Sequence, residues 1–139
     1  MVHALEQIHE LLEPDGHLID IHPNGELNKF ILPLDGQEHF IGHMQETDDY
    51  TEYRQASAAI ETVLSKGLFQ VIKMGEFEFR TYADSFDELK AFLDESWSDA
   101  VITGDVIANA RRLEEKYGKH RVFVREQTRI GLLKKIRLT

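Results

Sequence analysis

The stretch that decides the fold runs Leu5-Glu6-Gln7-Ile8-His9-Glu10-Leu11-Leu12-Glu13-Pro14-Asp15-Gly16-His17-Leu18-Ile19-Asp20-Ile21. Its first part predicts a helix over residues 3–13, because apolar residues recur on one face of a 3.6-residue period, at Leu5, Ile8, Leu11 and Leu12. Pro14 and Gly16 end this helix in a turn. Residues 17–22 then predict a strand. Its apolar residues point to both faces, which is typical of an interior strand that is covered on two sides.

The rest of the chain alternates between strand and helix patterns. Residues 29–34 and 37–44 predict a hairpin around Asp35-Gly36, because both central residues of a type I′ turn need positive φ. Two further helices are predicted over residues 48–66 and 105–117, and a third begins at the capping-box pattern Ser85-Phe86-Asp87-Glu88. Strands are predicted over residues 68–74, 76–82 and 121–133, with Gly75 as a bend, bulge or tight turn. This order predicts one α/β domain over residues 1–139, a small mixed sheet with flanking helices.

Composition excludes several classes of protein. The 139 residues are 42% hydrophobic and 29% charged, which is typical of a globular chain. The sequence contains no cysteine, so disulfides, thiolate metal sites and cysteine nucleophiles are excluded. No apolar run approaches the ~20 residues of a membrane span. The first residues lack the pattern of a signal peptide, so we expect a cytoplasmic protein.

The net charge of −9 is unevenly distributed. Residues 1–110 carry 22 acidic and 6 basic side chains, a balance of −16, whereas residues 111–139 carry 3 acidic and 10 basic ones, a balance of +7. A basic tail can bind nucleic acid, pack against the acidic remainder or form the outer face of a strand. Because the whole chain is acidic and no aromatic residues are interleaved with the basic ones, nucleic acid is a disfavoured partner.

The stretch from Leu5 to Ile21 resembles the class I S-adenosylmethionine-dependent methyltransferases. In that family a leucine-rich helix ends at a Pro-Gly-Gly-like turn and leads into the fifth strand of a Rossmann-like sheet. The turn here reads Pro14-Asp15-Gly16, which keeps the closing glycine. The later order of helix, sixth strand and last strand is similar, so the resemblance implies the C-terminal half of the methyltransferase fold.

The family's cofactor-binding half lies before that helix, and its motifs have no counterpart in this chain. The family binds S-adenosylmethionine through a glycine-rich loop and acidic residues after the first three strands. The nine glycines here are scattered and form no G-x-G-x-x-G pattern. We therefore expect no cofactor-binding residues and no cofactor for the isolated chain. Whether Met1 is the native start or a truncation is left open.

Candidate substrate-binding residues lie where the first strand ends. His22 and Asn24 follow its carboxyl end, the edge at which open α/β sheets bind ligands and from which the resembling family contacts substrate. His22 could act as a base and Asn24 could orient a polar group. Glu46 is expected to lie beside them, although the nearby acids also suit a helix N-terminus. An ordinary strand end and turn is the alternative, and no catalytic triad is visible in the sequence.

The seven histidines do not predict a metal site. His39 and His43 are four residues apart on a predicted strand, so their side chains would be ~13 Å apart, too far for one ion. Solvent-facing or hydrogen-bonded histidines are the favoured interpretation.

Three functions remain open. The first is a methyltransferase-like interaction module without its own S-adenosylmethionine site, and the second is one half of a split methyltransferase whose cofactor half is supplied by a partner chain. The third is a small hydrolase or isomerase that uses His22. The missing fourth strand predicts a homodimer in which residues 1–25 of both chains meet by edge pairing or helix packing. Alternatively, the hairpin of residues 29–44 covers that edge in a monomer.

Overall fold

A computed structural model describes residues 1–48 and 50–139. It confirms the α/β class, with an antiparallel sheet flanked by helices. The elements, in chain order, are α1 (Val2–Leu11), β1 (His17–Pro23), β2 (Asn28–Leu34), β3 (Gln37–Glu46), α2 (Thr51–Ser65), β4 (Phe69–Ala83), α3 (Phe86–Ser96), β5 (Ala100–Val101), α4 (Gly104–Tyr117) and β6 (Val122–Lys135). None of the helices in the described ranges is long and apolar enough to cross a membrane.

The chain forms two compact units, and the long strands β4 and β6 contribute to both. The first unit comprises residues 1–25, 51–77 and 127–139, and the second comprises residues 26–50 and 78–126. In the first unit β1 pairs antiparallel with the C-terminal part of β6, from His17 opposite Lys134 to Pro23 opposite Thr128. β4 also pairs with β6.

In the first unit, the turn between α1 and β1 forms as the sequence predicts. The Gly16 backbone N–H donates to the carbonyl of Glu13 at 2.8 Å, and Asp15 adopts a positive φ of 65°. A methyl group at Gly16 would lie 2.8 Å from the same carbonyl oxygen, closer than a real side chain approaches. Glycine is therefore required where the turn closes.

The apolar core of the first unit lies between its two helices and one face of its strands. Its buried members are Leu5, Ala59, Ile60, Val63, Phe69 and Leu133. The predicted stripe of α1 was wrong at Leu11, which is 85% exposed. His9 is buried instead: its Nε2 bonds the carbonyl of Ile136 at 2.9 Å and its ring packs edge-on against Phe69.

The basic end of the chain packs against the α1–β1 turn. The Lys135 backbone N–H donates to the carbonyl of Gly16 at 2.8 Å, and its Nζ donates to the carbonyl of Leu12 at 2.7 Å. Lys134 and Arg137 form ion pairs with Asp15. The hydrogen bond from Lys134 and the charge of Arg137 lower the pKa of Asp15. These three basic residues therefore help to hold the α1–β1 turn in place.

β1 is not the two-sided interior strand that its sequence predicts. Leu18 packs against the core with the helices, but Ile19 and Ile21 are 62% and 57% exposed. Successive side chains of a strand point to opposite faces, so the two isoleucines share the face away from α1 and α2. Within the described residues β6 is the only strand that pairs with β1, which makes β1 an edge strand.

The second unit is built around the predicted hairpin. Asp35 and Gly36 both have positive φ, 52° and 75°, and β2 pairs with β3 on either side of them. β2 also pairs with β6 at residues 123–125. The hairpin therefore pairs with β6 within the second unit.

Helices α3 and α4 cover the second unit's core. The Ser85 hydroxyl accepts from the Glu88 backbone N–H at 3.2 Å, and the Glu88 carboxylate accepts from the Asp84 N–H at 2.9 Å, so the predicted helix start is confirmed. The buried core residues are Phe30, Leu32, Ile41, Met44, Phe86, Leu89, Leu93, Val106, Ala110, Val122 and Val124. β4 is continuous through Gly75, so of the predicted alternatives the tight turn does not form there.

Gly16→Ala tests whether the α1–β1 turn needs a glycine. Because the added methyl group meets a backbone carbonyl that cannot move aside freely, we expect a loss of about 1–3 kcal/mol in the free energy of unfolding. Urea denaturation measures it. Gly104→Ala is the matched control, since nothing lies within 4 Å of its added methyl group, and it should be neutral or slightly stabilising. Equal effects of the two substitutions would contradict the steric argument.

Candidate functional site

His22 is the centre of a chain of hydrogen-bonded side chains in the first unit. Its Nδ1 lies 2.7 Å from Asp20 Oδ2, and its Nε2 lies 2.9 Å from Ser57 Oγ. Asp20 and His22 are two residues apart on β1 and so share a face. Ser57 projects from α2, which packs on that same face. His22 is only 9% exposed, so the imidazole is held between a carboxylate and a hydroxyl.

The residues after His22 stay close to α2. The backbone N–H of Asn24 donates to the carbonyl of Gln127 at 2.9 Å, which ties this end of β1 to β6. Gly25 has a φ of 88°, and a methyl group there would lie 3.7 Å from Cγ of Arg54. Arg54 precedes Ser57 by three residues, one turn of α2, so the two side chains are neighbours on the helix surface. The predicted His22 and Asn24 therefore lie at a polar end of the first unit.

Glu46, the third predicted site residue, belongs to the second unit. It is only 8% exposed at the end of β3. Within that unit burial raises the pKa of half-buried Glu126 and of enclosed Tyr50, and the charge of Glu46 adds to both effects.

Tyr50 is fully enclosed in the second unit. Its hydroxyl donates to the carbonyl of Met44 at 2.6 Å and accepts from the backbone N–H of Asn28 at 3.4 Å. Burial raises the pKa of Tyr50 to about 12, and nearby carboxylates including Glu46 and Glu126 add to the rise. The phenol therefore stays protonated and acts as a fixed hydrogen-bonding group.

The other histidines do not assemble a metal centre in the part of the chain that the structure describes. There, no three His, Asp or Glu side chains come together as a set that could hold an ion. In the second unit the ring of His39 lies 5.1 Å from that of Tyr117, and the ring of His43 lies 5.0 Å from that of Phe40. These histidines make ring contacts within their own unit.

The free edge of β1 presents a defined set of backbone groups. Asn24 lies opposite Gln127 in the same register as the ladder, and its N–H bonds to β6. Because hydrogen-bonded and non-hydrogen-bonded pairs alternate along an antiparallel ladder, the N–H groups of Leu18, Asp20 and His22 also point to β6. Those of His17, Ile19 and Ile21 point away from it. Pro23, which has no N–H, also falls on the outward side, as expected for an edge.

The same edge borders an exposed apolar face of the first unit. Ile21 lies opposite Ile130 and Ile19 lies opposite Leu132, so these four side chains form two rows on one face. A shallow depression of about 310 Å³ lies beside Ile19, Ile130 and Leu132, and it is lined also by Gly131 of β6 and by Lys73, Met74 and Gly75 of β4. Ile19, Ile21, Ile130 and Met74 are all exposed, so apolar side chains lie on the surface beside this edge.

The sequence predicted neither Ser57 as a site residue nor a catalytic triad. Ser57 is 35 residues from His22 and lies inside a helix, where no local motif distinguishes it from a solvent-facing serine. Its only sequence signal is helical spacing: Ser57 lies four residues after Tyr53 and three residues before Ile60, and residues at this spacing share one face of a helix. A polar residue on such an apolar face predicts a polar partner on the sheet.

The raised pKa of Glu126 predicts a pH dependence of stability. Burial raises this pKa, and the charge of Glu46 adds to the effect. A carboxyl group whose pKa is higher in the folded state destabilises the fold as pH rises through the window between its unfolded and folded values. Glu126→Gln should therefore increase the free energy of unfolding at pH 7, and the gain should shrink towards pH 4.

Urea denaturation at both pH values measures this gain. Glu115→Gln, on the exposed surface of α4, is the control and should show no such difference between the two pH values. A gain for Glu126→Gln that is larger at pH 4 than at pH 7 would contradict the assignment.

Comparisons with known proteins assign no family to the chain. A scan against protein-family models gives no match, and a search of curated proteins gives none.

Proposed function

We propose that the chain is a self-associating interaction module, similar to the C-terminal half of a class I methyltransferase and without its own S-adenosylmethionine site. The arrangement of strands and helices in the first unit supports this resemblance. In that family the fifth strand pairs with the last strand, and here β1 pairs with β6. The helix before β1 and the helix after it both pack on one face, and β4 lies on the other side of β6. The proposal keeps the expected cytoplasmic location.

The observation that carries the proposal is the free edge of β1 beside an apolar face. An unpaired edge is a template for another strand, and proteins usually blunt it with lysine, arginine or proline. The outward positions His17, Ile19 and Ile21 carry no lysine or arginine, and Pro23 comes only at the end of the strand. A second copy of this chain is the occupant that we infer, because antiparallel pairing about a two-fold axis satisfies both edges with the same residues.

The side chains of β1 favour one register for that pairing. Centring the axis on Asp20 would place two carboxylates opposite each other, which destabilises a ladder. Centring it on Ile21 would place Pro23, which has no N–H, in a hydrogen-bonding position. Centring it on Ile19 avoids both problems and sets His17 opposite Ile21 of the partner subunit. Edge pairing is also favoured over helix packing, since the interior stripe of α1 is already covered within the first unit.

Ile19→Lys tests the proposed dimer. Light scattering of the wild-type chain at micromolar concentration should give twice the 16.1 kDa chain mass. The substitution places two ammonium groups together at the axis, so the dissociation constant should rise at least ~10-fold, equivalent to about 1.4 kcal/mol.

Phe92→Lys is the matched control, because it places the same charge on an exposed apolar residue of α3. The control should leave the dimer intact. A wild-type mass of 16.1 kDa, or equal dissociation by both variants, would contradict the proposal.

A split methyltransferase is the second candidate, because the same free edge could pair with a strand of a chain that supplies the cofactor half. Calorimetric titration separates the two. The isolated chain should show no measurable S-adenosylmethionine binding at sub-millimolar concentration, since the glycine-rich loop and acids of the family have no counterpart in it. Saturable binding at micromolar concentration by the isolated chain would contradict both candidates. Binding that appears only with a second chain would favour the split enzyme.

A further inference from the structure

The hydrogen bonds through His22 connect a carboxylate, an imidazole and a hydroxyl in the order in which a base activates a serine nucleophile. Because a carboxylate can only accept, His22 Nδ1 donates to Asp20. The Nε2 of a neutral ring then accepts from the hydroxyl of Ser57. The carboxylate fixes the tautomer and stabilises the imidazolium that forms when Nε2 takes a proton. The Ser57 hydroxyl lies 2.9 Å from the imidazole, and the imidazole lies 2.7 Å from the Asp20 carboxylate, all within the first unit.

Access to this group comes from the side of α2. Ser57 is half-buried on the helix, whereas the imidazole beneath it is almost fully enclosed. A reactant would therefore approach the hydroxyl from the exposed side of Ser57, while the base stays shielded from bulk water. Arg54 lies one helical turn before Ser57, and its guanidinium donates to the hydroxyl of Thr51 at 3.3 Å.

The helical position of Ser57 limits the chemistry that it can support. The N–H groups around it lie within α2 and bond to carbonyls four residues earlier, so they cannot form a pair of oxyanion-binding donors. With this limited stabilisation, the substrate needs a good leaving group, as in aryl esters of short carboxylic acids.

We propose that Ser57 is a nucleophile for such esters, with His22 as general base and Asp20 as a positioning residue. Ser57 Oγ forms a bond to the carbonyl carbon while its proton passes to His22 Nε2. The carbon–oxygen bond to the leaving group breaks, and the phenolate receives that proton. Water then attacks the acyl-serine and gives a proton to Nε2. The bond between the acyl carbon and Oγ breaks, and Ser57 recovers the proton. The net reaction is hydrolysis of the ester.

This inference is independent of the proposed self-association. Its residues lie on the helix-facing side of β1 and on α2, whereas the dimer uses the outward backbone groups of β1. Ile19→Lys should therefore leave the esterase chemistry present, and loss of that chemistry should leave the dimer intact.

Covalent labelling with a fluorophosphonate probe tests the nucleophile. The wild-type chain should form one adduct, which mass spectrometry should locate at Ser57. Ser57→Ala should abolish the adduct, and His22→Gln should slow labelling at least ~100-fold. Ser65→Ala is the matched control: this serine is also on α2, its hydroxyl donates to the carbonyl of Thr62, and its replacement should change nothing.

Hydrolysis of p-nitrophenyl acetate supplies the second readout. Asp20→Asn keeps the shape of the side chain but removes its charge, so the rate should fall at least ~10-fold while the thermal unfolding curve stays close to that of the wild type. Ser57→Cys retains a nucleophile and should be acylated by the ester. This variant tests the nucleophile even if Ser57→Ala does not fold. No adduct in the folded wild-type chain, or an adduct rate unchanged in His22→Gln, would overturn the proposal. In that case the hydrogen bonds serve only to join β1 to α2.

Discussion

The structure depends on the pairing of β6 with three other strands. This C-terminal strand forms ladders with β1 and β2 and also pairs with β4. Its basic end additionally holds the α1–β1 turn: the Lys135 ammonium and backbone N–H donate to the last carbonyl groups of that segment. Helix, turn and first strand are thus fixed by residues more than a hundred positions away. The uneven charge of the sequence has a structural explanation here, because basic residues near the C-terminus meet Asp15 in the acidic part.

Local signals in the sequence predicted the elements well. The type I′ turn at Asp35-Gly36 and the capping box at Ser85 are decided by a few neighbouring residues, and both form as expected. Turn residues need particular φ values and a capping serine needs an N–H three residues later, so no distant contact is involved. The burial of α3 and α4 follows from helical spacing for the same reason. The need for glycine at position 16 is also local, since a side chain there would collide with the backbone carbonyl of Glu13.

Contacts between distant parts of the chain account for what the sequence did not predict. Apolar residues on both faces of β1 suggested two covering layers, but only one face meets helices within the first unit. Ser57 reaches His22 because α2 crosses β1, which no spacing in the sequence reveals. His9 replaces Leu11 in the core because the carbonyl of Ile136 lies beside it. The expected position of Glu46 beside His22 and Asn24 stays a prediction, since Glu46 belongs to the second compact unit and the other two residues belong to the first.

The central claim is that the outward backbone groups of β1 pair with a second copy of the chain. Hydrogen–deuterium exchange, resolved by residue and followed as a function of protein concentration, tests it most directly. The amides of Leu18 and Asp20, which bond to β6, should stay protected at every concentration. Those of Ile19 and Ile21 should be protected in concentrated samples and become exposed on dilution. Rapid exchange at Ile19 and Ile21 in a sample whose mass is that of a dimer would contradict the claim.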